Sequence, residues 1–189
     1  MSNQGKTTLH IGLIHHPVLN KKRETIGSAV TNLDIHDIAR TAKTYGVAKY
    51  FISTPYQDQH QLVGELLQHW ESGHGASYNP ARKEALSIVS IAASLDDIID
   101  TIEAEHGKAP LLVTTSAVMQ DNSVSYNDLA QTIINKEPVL LLFGTAHGLA
   151  PEILKRADVS LPPIKGGTDY NHLSVRSAAS IIIDRLLGS

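Results

Sequence analysis

Val139-Leu140-Leu141-Leu142-Phe143-Gly144-Thr145-Ala146-His147-Gly148-Leu149 is the stretch that decides the fold. Its first five residues are apolar without interruption and leave no face for water, as in a parallel strand covered on both sides. Gly144 then ends the run and Gly148 bounds a short loop, where glycine lets backbone come close to a partner. A strand of that kind requires parallel neighbours and helices on both faces of its sheet.

The rest of the chain supplies both. Short β-branched or apolar runs predict strands over residues 9–14, 49–53, 85–92 and 111–114, the third chosen over a helix because 96–106 supplies the helix after it. Helical spacing runs over 32–45, where Leu33, Ile35, Ile38, Ala39 and Ala42 are apolar and Gly46 is the stop signal. Further helices are predicted over 57–72, 128–135, 151–157 and 172–187, and 73–80 reads as a loop from its glycines and Pro80. With no repeat, low-complexity segment or linker, residues 1–189 are expected to form one α/β domain.

Composition narrows the function classes. The chain holds 42% hydrophobic residues, yet none of its apolar stretches reaches the roughly 18 residues a membrane helix needs. Met1-Ser2-Asn3-Gln4-Gly5-Lys6 lacks the apolar core of a signal peptide, so a cytoplasmic protein is expected. Cysteine is absent, which excludes disulfides and thiolate metal sites. The net charge of −3 is not the basic footprint of a nucleic-acid binder, so RNA would need a local patch. Candidates are Lys21-Lys22-Arg23, the group Arg40, Lys43 and Lys49, the pair Arg82-Lys83, and Lys165 with Arg176.

Several familiar devices are missing. Gly5-Lys6-Thr7 resembles the tail of a phosphate-binding loop but has neither the earlier glycine nor a strand before it. His15-His16 and the pair His69 and His74 lack the helical spacing that converges metal ligands, and no metal is expected. Neither a Gly-x-Ser-x-Gly elbow nor a Gly-x-Gly-x-x-Gly fingerprint occurs.

What remains is a set of three loops, each following a predicted strand: Thr114-Thr115-Ser116-Ala117, the glycine-bounded Phe143 to Leu149, and Leu161-Pro162-Pro163-Ile164-Lys165-Gly166-Gly167-Thr168-Asp169-Tyr170-Asn171-His172. Ligands of open α/β sheets bind outside the carboxyl ends of the strands, which is where such loops lie.

These loops carry a resemblance. Asp34-Ile35-His36-Asp37-Ile38-Ala39-Arg40-Thr41-Ala42 resembles the first motif of the SPOUT methyltransferases, and Leu142-Phe143-Gly144 to Gly148-Leu149 resembles the second. Pro162-Pro163-Ile164-Lys165-Gly166 to Tyr170-Asn171-His172-Leu173-Ser174-Val175 resembles the third, without a gap. From about Leu9 onward the chain is similar to a small stand-alone SPOUT family related to the C-terminal domain of bacterial tRNA guanine-N1 methyltransferase.

The resemblance implies a C-terminal trefoil knot, a homodimer, an RNA substrate and bound S-adenosylmethionine. The positions matching cofactor contacts are Thr115, Ser116, Gly144, Gly148, Pro162, Ile164, Asn171 and Leu173. It implies Arg40 as the group acting on a ribose 2′-hydroxyl, whereas guanine N1 asks for a carboxylate base, for which Asp169 is best placed. The first motif's asparagine is Asp34 here, the third motif's is His172, and the second loop lacks its acidic residue. A cofactor-binding protein without catalysis and a small-molecule methyltransferase are the alternative readings. In the first motif's helix and in 172–187, Val175, Ala178, Ala179, Ile182 and Ile183 are expected to expose an apolar dimer face.

Overall fold

Period-two alternation along β1 (Leu9–Ile14) sends Leu9, Ile11 and Leu13 to one face of the sheet and Ile14 to the other, and all six residues are buried. The computed structural model describes residues 7–188, apart from the side chains of His74 and Ala76. Gly5 and Lys6 of the phosphate-loop-like stretch, and the ring of His74, lie outside those described residues.

After β1 a small antiparallel hairpin forms from β2 (Val18–Leu19) and β3 (Thr25–Ile26), which the sequence did not signal because each arm has only two residues. Helix α1 (Asn32–Thr44) starts where the Thr31 hydroxyl accepts the Asp34 amide at 3.2 Å. Then come β4 (Lys49–Ser53), α2 (Gln57–Glu71), α3 (His74–Tyr78), α4 (Pro80–Leu86) and β5 (Val89–Ala92). The segment 73–80, expected as a loop, is instead mostly helical, and the strand expected over 85–92 shrinks to its second half. Asn79-Pro80 opens a helix here, with the Asn79 side chain accepting the Arg82 amide and proline in the first turn, where its missing N–H costs nothing.

Helix α5 (Leu95–His106) carries a reciprocal capping box between Ser94 and Asp97, and Gly107 ends it in the left-handed region. It is followed by β6 (Leu111–Thr114), α6 (Tyr126–Ile134), β7 (Val139–Gly144), α7 (Pro151–Arg156), β8 (Val159–Ser160) and α8 (Val175–Leu187). Ser174 caps α8, which therefore begins three residues later than the expected 172.

The six longer-range strands form one sheet in the order β5-β4-β1-β7-β6-β8, with every neighbouring pair parallel. One face packs Ile35, Ile38 and Ala42 of α1 and Ile182 and Ile183 of α8 against Leu9, Ile11, Leu141 and Phe143. The other packs Ile98 and Ile102 of α5 and Ile153 of α7 against Leu140 and Leu142. Each of the isoleucine, leucine and phenylalanine side chains, fully buried, contributes about 1.5–3 kcal/mol. Helices thus cover both faces, as the run in β7 required. Among the described residues no helix is long and apolar enough to cross a membrane.

Candidate active site

Strand order alone assembles the three loops. Neighbours β7, β6 and β8 end at Gly144, Thr114 and Ser160, so the segments that follow leave one edge of the sheet side by side. The root of the first is fixed by Thr115, whose amide and hydroxyl both donate to the Leu142 carbonyl, at 3.1 and 3.0 Å. Ser116 Oγ accepts the Val118 amide at 3.0 Å, turning the loop back. The Ala117 carbonyl then accepts Asn171 Nδ2 at 2.8 Å, which ties the first loop to the third.

The second loop is closed by its own backbone. The Gly148 amide donates to the Thr145 carbonyl at 2.9 Å, with Ala146 at φ 51° and Gly148 at φ 102°. A Cβ on Gly144 would lie 2.6 Å from the Leu149 amide nitrogen and 2.9 Å from the Gly148 carbonyl carbon. Both glycines are therefore required by the turn itself, before any ligand is considered. The hairpin pins the turn from outside: the Leu19 amide donates to the Gly148 carbonyl and the His147 amide to the Leu19 carbonyl, each at 2.9 Å.

Beneath this loop lies a polar cluster that sequence reading missed. Thr145 Oγ1 donates to the Ile14 carbonyl at 3.0 Å and sits 2.5 Å from Ser28 Oγ, which pairs with His15 Nδ1 at 3.1 Å. His15 is fully buried, its Nε2 has no hydrogen-bond partner, and burial pushes its pKa below the ordinary value.

In the third loop, Leu161 and Pro163 are buried and Ile164 packs on the core, while the Pro162 carbonyl accepts the Tyr126 hydroxyl at 3.2 Å. Residues 165–170 are exposed, Asp169 among them, and Leu173 is 42% exposed. The cap of α8 is Ser174, so Asp169 has no capping duty. The glycine-bounded backbone of the second loop, beside the exposed stretch 165–170 of the third, is a surface able to take a ligand through main-chain groups. The eight residues matched to cofactor contacts all lie on these three joined segments.

Arg40 lies elsewhere. It is exposed on α1 and lines a groove of about 760 Å³ with Asp37, Thr41 and Tyr45 of the α1 side and Arg176 and Ser180 of α8. Asp169 is not among the residues lining that groove. Arg176 Nη1 donates to Asp34 Oδ1 at 2.8 Å, and the Thr31 hydroxyl donates to Asp34 Oδ2 at 2.6 Å. Asp34, almost wholly buried in the first turn of α1, thus serves as the ion-pair partner of Arg176 and accepts the hydroxyl of the capping Thr31, which accounts for a carboxylate at the motif's asparagine. The expected apolar face is corrected here: Ala179, Ile182 and Ile183 are buried in the core, and Val175 and Ala178 are half-buried.

A second missed cluster sits at the opposite end of β1. His10 Nε2 and His106 Nε2 are 3.0 Å apart, with the Glu105 carboxylate beside them, although 96 positions separate the two histidines.

Comparison with known proteins adds the following. Residues 8–188 match the model of a family described as SAM-dependent RNA methyltransferase. Over 180 residues the chain is 45% identical to a tRNA (guanine-N(1)-)-methyltransferase of Oleidesulfovibrio alaskensis, covering 95% of this chain and 42% of that protein. It is 41% identical over 177 residues to an uncharacterized protein of Aquifex aeolicus, covering 93% of this chain and 86% of the other. The chain thus spans less than half the length of the tRNA methyltransferases it matches. Among solved structures, a putative methylase family protein from Neisseria gonorrhoeae superposes with a TM-score of 0.65 at 19% identity, over 95% of this chain and 81% of that one. The SpoU methyltransferase AviRb from Streptomyces viridochromogenes in complex with AdoMet does so at 0.60 and 16%, over 94% and 56%. At such identities the likeness shows a shared fold.

Proposed function

The chain belongs to the SAM-dependent RNA methyltransferase family, and from that premise we propose that it methylates a tRNA, at guanine N1. The observation that carries this reading is the joining of three loops at the carboxyl edge of β7, β6 and β8, in a chain 45% identical to a tRNA (guanine-N(1)-)-methyltransferase.

In this reading the backbone of Gly144 to Gly148 and of residues 162–173 holds S-adenosylmethionine, with Thr115 and Ser116 shaping its third wall. The cofactor supplies a methyl group already activated on a sulfonium. The chain's own work is to orient the acceptor and remove its proton. Asp169, exposed and free of capping duty, accepts the proton of guanine N1. Arg40 binds acceptor phosphate from the α1–α8 groove. The exposed tip Lys21-Lys22-Arg23 supplies a second basic patch, on the hairpin that pins the second loop.

The proposal includes a homodimer, in which one copy's α1–α8 groove meets the other's third loop and brings Arg40 to Asp169. It includes a trefoil knot at the third loop, a single domain over 1–189 and a cytoplasmic location, that of the RNA acceptor. A second reading, transfer to a ribose 2′-hydroxyl, draws on Arg40, and not Asp169, lining the α1–α8 groove.

Transfer of tritiated methyl to bulk tRNA, followed by digestion and nucleoside chromatography, tests the function. Label in 1-methylguanosine supports it, and label in a 2′-O-methylated nucleoside moves the assignment to the ribose. Protein that binds S-adenosylhomocysteine yet labels no RNA overturns it. Light scattering that finds only monomer at micromolar concentration removes the dimer.

A further inference from the structure

The cluster at the amino end of β1 stands apart from the loops. His10 is fully buried on the sheet face that packs α5, and its Nε2 meets His106 Nε2, from the last turn of α5, at 3.0 Å. The two rings meet edge to face, with centroids 5.1 Å apart. Glu105, the residue before His106, adds a carboxylate, and one donor atom from each residue lies within 4.8 Å of the others. Two imidazole nitrogens pointing at each other with a carboxylate alongside are the donor set of a zinc-type ion.

We propose that His10, Glu105 and His106 form a binding site for a divalent transition ion of the zinc class, fastening β1 to the end of α5 and separate from the methyl-transfer site. With metal–nitrogen bonds of about 2.0–2.1 Å, two ligand nitrogens of a tetrahedral site stand roughly 3.3 Å apart. The observed 3.0 Å therefore needs to open by only a few tenths of an ångström. The proton that now lies between the two Nε2 atoms is not an obstacle. The donor ring passes to its Nδ1–H form through water at the exposed His106, leaving both Nε2 lone pairs free without net proton release. His10 Nδ1 has no hydrogen-bond partner, so no existing bond is broken when it carries the ring proton and Nε2 ligates.

The electrostatics agree. The site lies at the carboxyl end of α5, where the helix dipole favours a cation. Burial, reinforced by the neighbouring His106, pushes the His10 pKa down to about 4, so this imidazole is neutral and able to ligate throughout the physiological range. Against the ion stands Lys49, which pairs with Glu105. Binding must release Lys49, whose ammonium is partly exposed and turns to solvent. Two protein nitrogens and one oxygen leave the fourth position to water.

Titration of the full chain with Co²⁺, read by visible absorption, is the test, with Zn²⁺ displacing it and calorimetry giving affinities. One ion per chain with tetrahedral-type bands is expected. His106→Ala and Glu105→Gln should each weaken binding at least tenfold while melting within a few degrees of the metal-free parent, because both side chains are exposed. Zn²⁺ should raise the parent's melting temperature and not that of His106→Ala, and S-adenosylhomocysteine affinity should be the same with and without the ion. No Co²⁺ uptake by the parent, or uptake unchanged in His106→Ala, overturns the proposal. So does an equal loss in His69→Ala, a surface histidine outside the cluster, since that would mean adventitious capture.

Discussion

The two ends of β1 make a natural pair. Each has a fully buried histidine, each histidine has one ring nitrogen without a partner, and burial lowers the pKa of both. At the carboxyl end His15 is knitted through Ser28 to Thr145 and so to a loop that builds the site. At the amino end His10 meets His106 in the last turn of α5, with the Phe51 ring of β4 on its flank. The same residue type, within β1 at its amino end and just past it at its carboxyl end, therefore belongs to a clamp remote from the ligand cradle or to the network that shapes it.

The sharpest way to break that contrast is at the groups proposed for chemistry. Asp169→Asn should lower methyl transfer to tRNA about a hundredfold or more, the usual loss for a general base, with melting temperature and cofactor affinity near the parent's. Arg40→Ala should show the greater loss instead if the acceptor is ribose. His106→Ala, at the other end, should leave turnover within about twofold. Should Asp169→Asn and Arg40→Ala both melt early, they are structural and the assignment fails.

Next in size is Gly144→Val. Its Cβ would enter the 2.6 Å gap to the Leu149 amide, so the turn must open and S-adenosylhomocysteine affinity should fall about tenfold or more. Calorimetry showing parental affinity would mean that the loop yields freely and does not hold the ligand.

Acid should strike both ends alike. Folded pKa values below the ordinary 6.5 mean that the unfolded chain binds more protons, so stability is full above about pH 6.5 and falls as pH drops toward His10's value of about 4. A loss of roughly 5 °C in melting temperature across that window is expected. His10→Asn and His15→Asn should each flatten part of it, and a parent profile flat from pH 7 to 4.5 would refute the burial argument.

The smallest effect is at the hairpin tip. Replacing Lys21, Lys22 and Arg23 by serine should raise KM for tRNA about threefold and reduce its salt dependence, leaving kcat unchanged. An unaltered salt slope would place the RNA elsewhere.

Most of the sheet was legible because a parallel strand must be apolar on both faces. The runs 9–14, 49–53 and 111–114 coincide with β1, β4 and β6. The hairpin and β8 were not legible, since two-residue strands have no period to detect. Nor were α3 and α4, because Gly73, Gly75 and Pro80 spoke for a loop where Asn79-Pro80 in fact starts a helix. The three loops were readable from glycine and proline placement. The two histidine clusters were not, for they arise from contacts between residues 10 and 106 and among 15, 28 and 145, and local spacing holds no trace of them.

The central position of β1 has a consequence for how the molecule is made. Leu9 to Ile14 emerge from the ribosome long before Val139 to Gly144, the strand that completes one of their two edges. Until then β1 can pair only with β4, and its other side presents an apolar row with unpaired amides and carbonyls. Closure across so long a stretch of chain makes folding slow for a protein of this size. A nascent chain halted before residue 139 should therefore aggregate or be held by a chaperone.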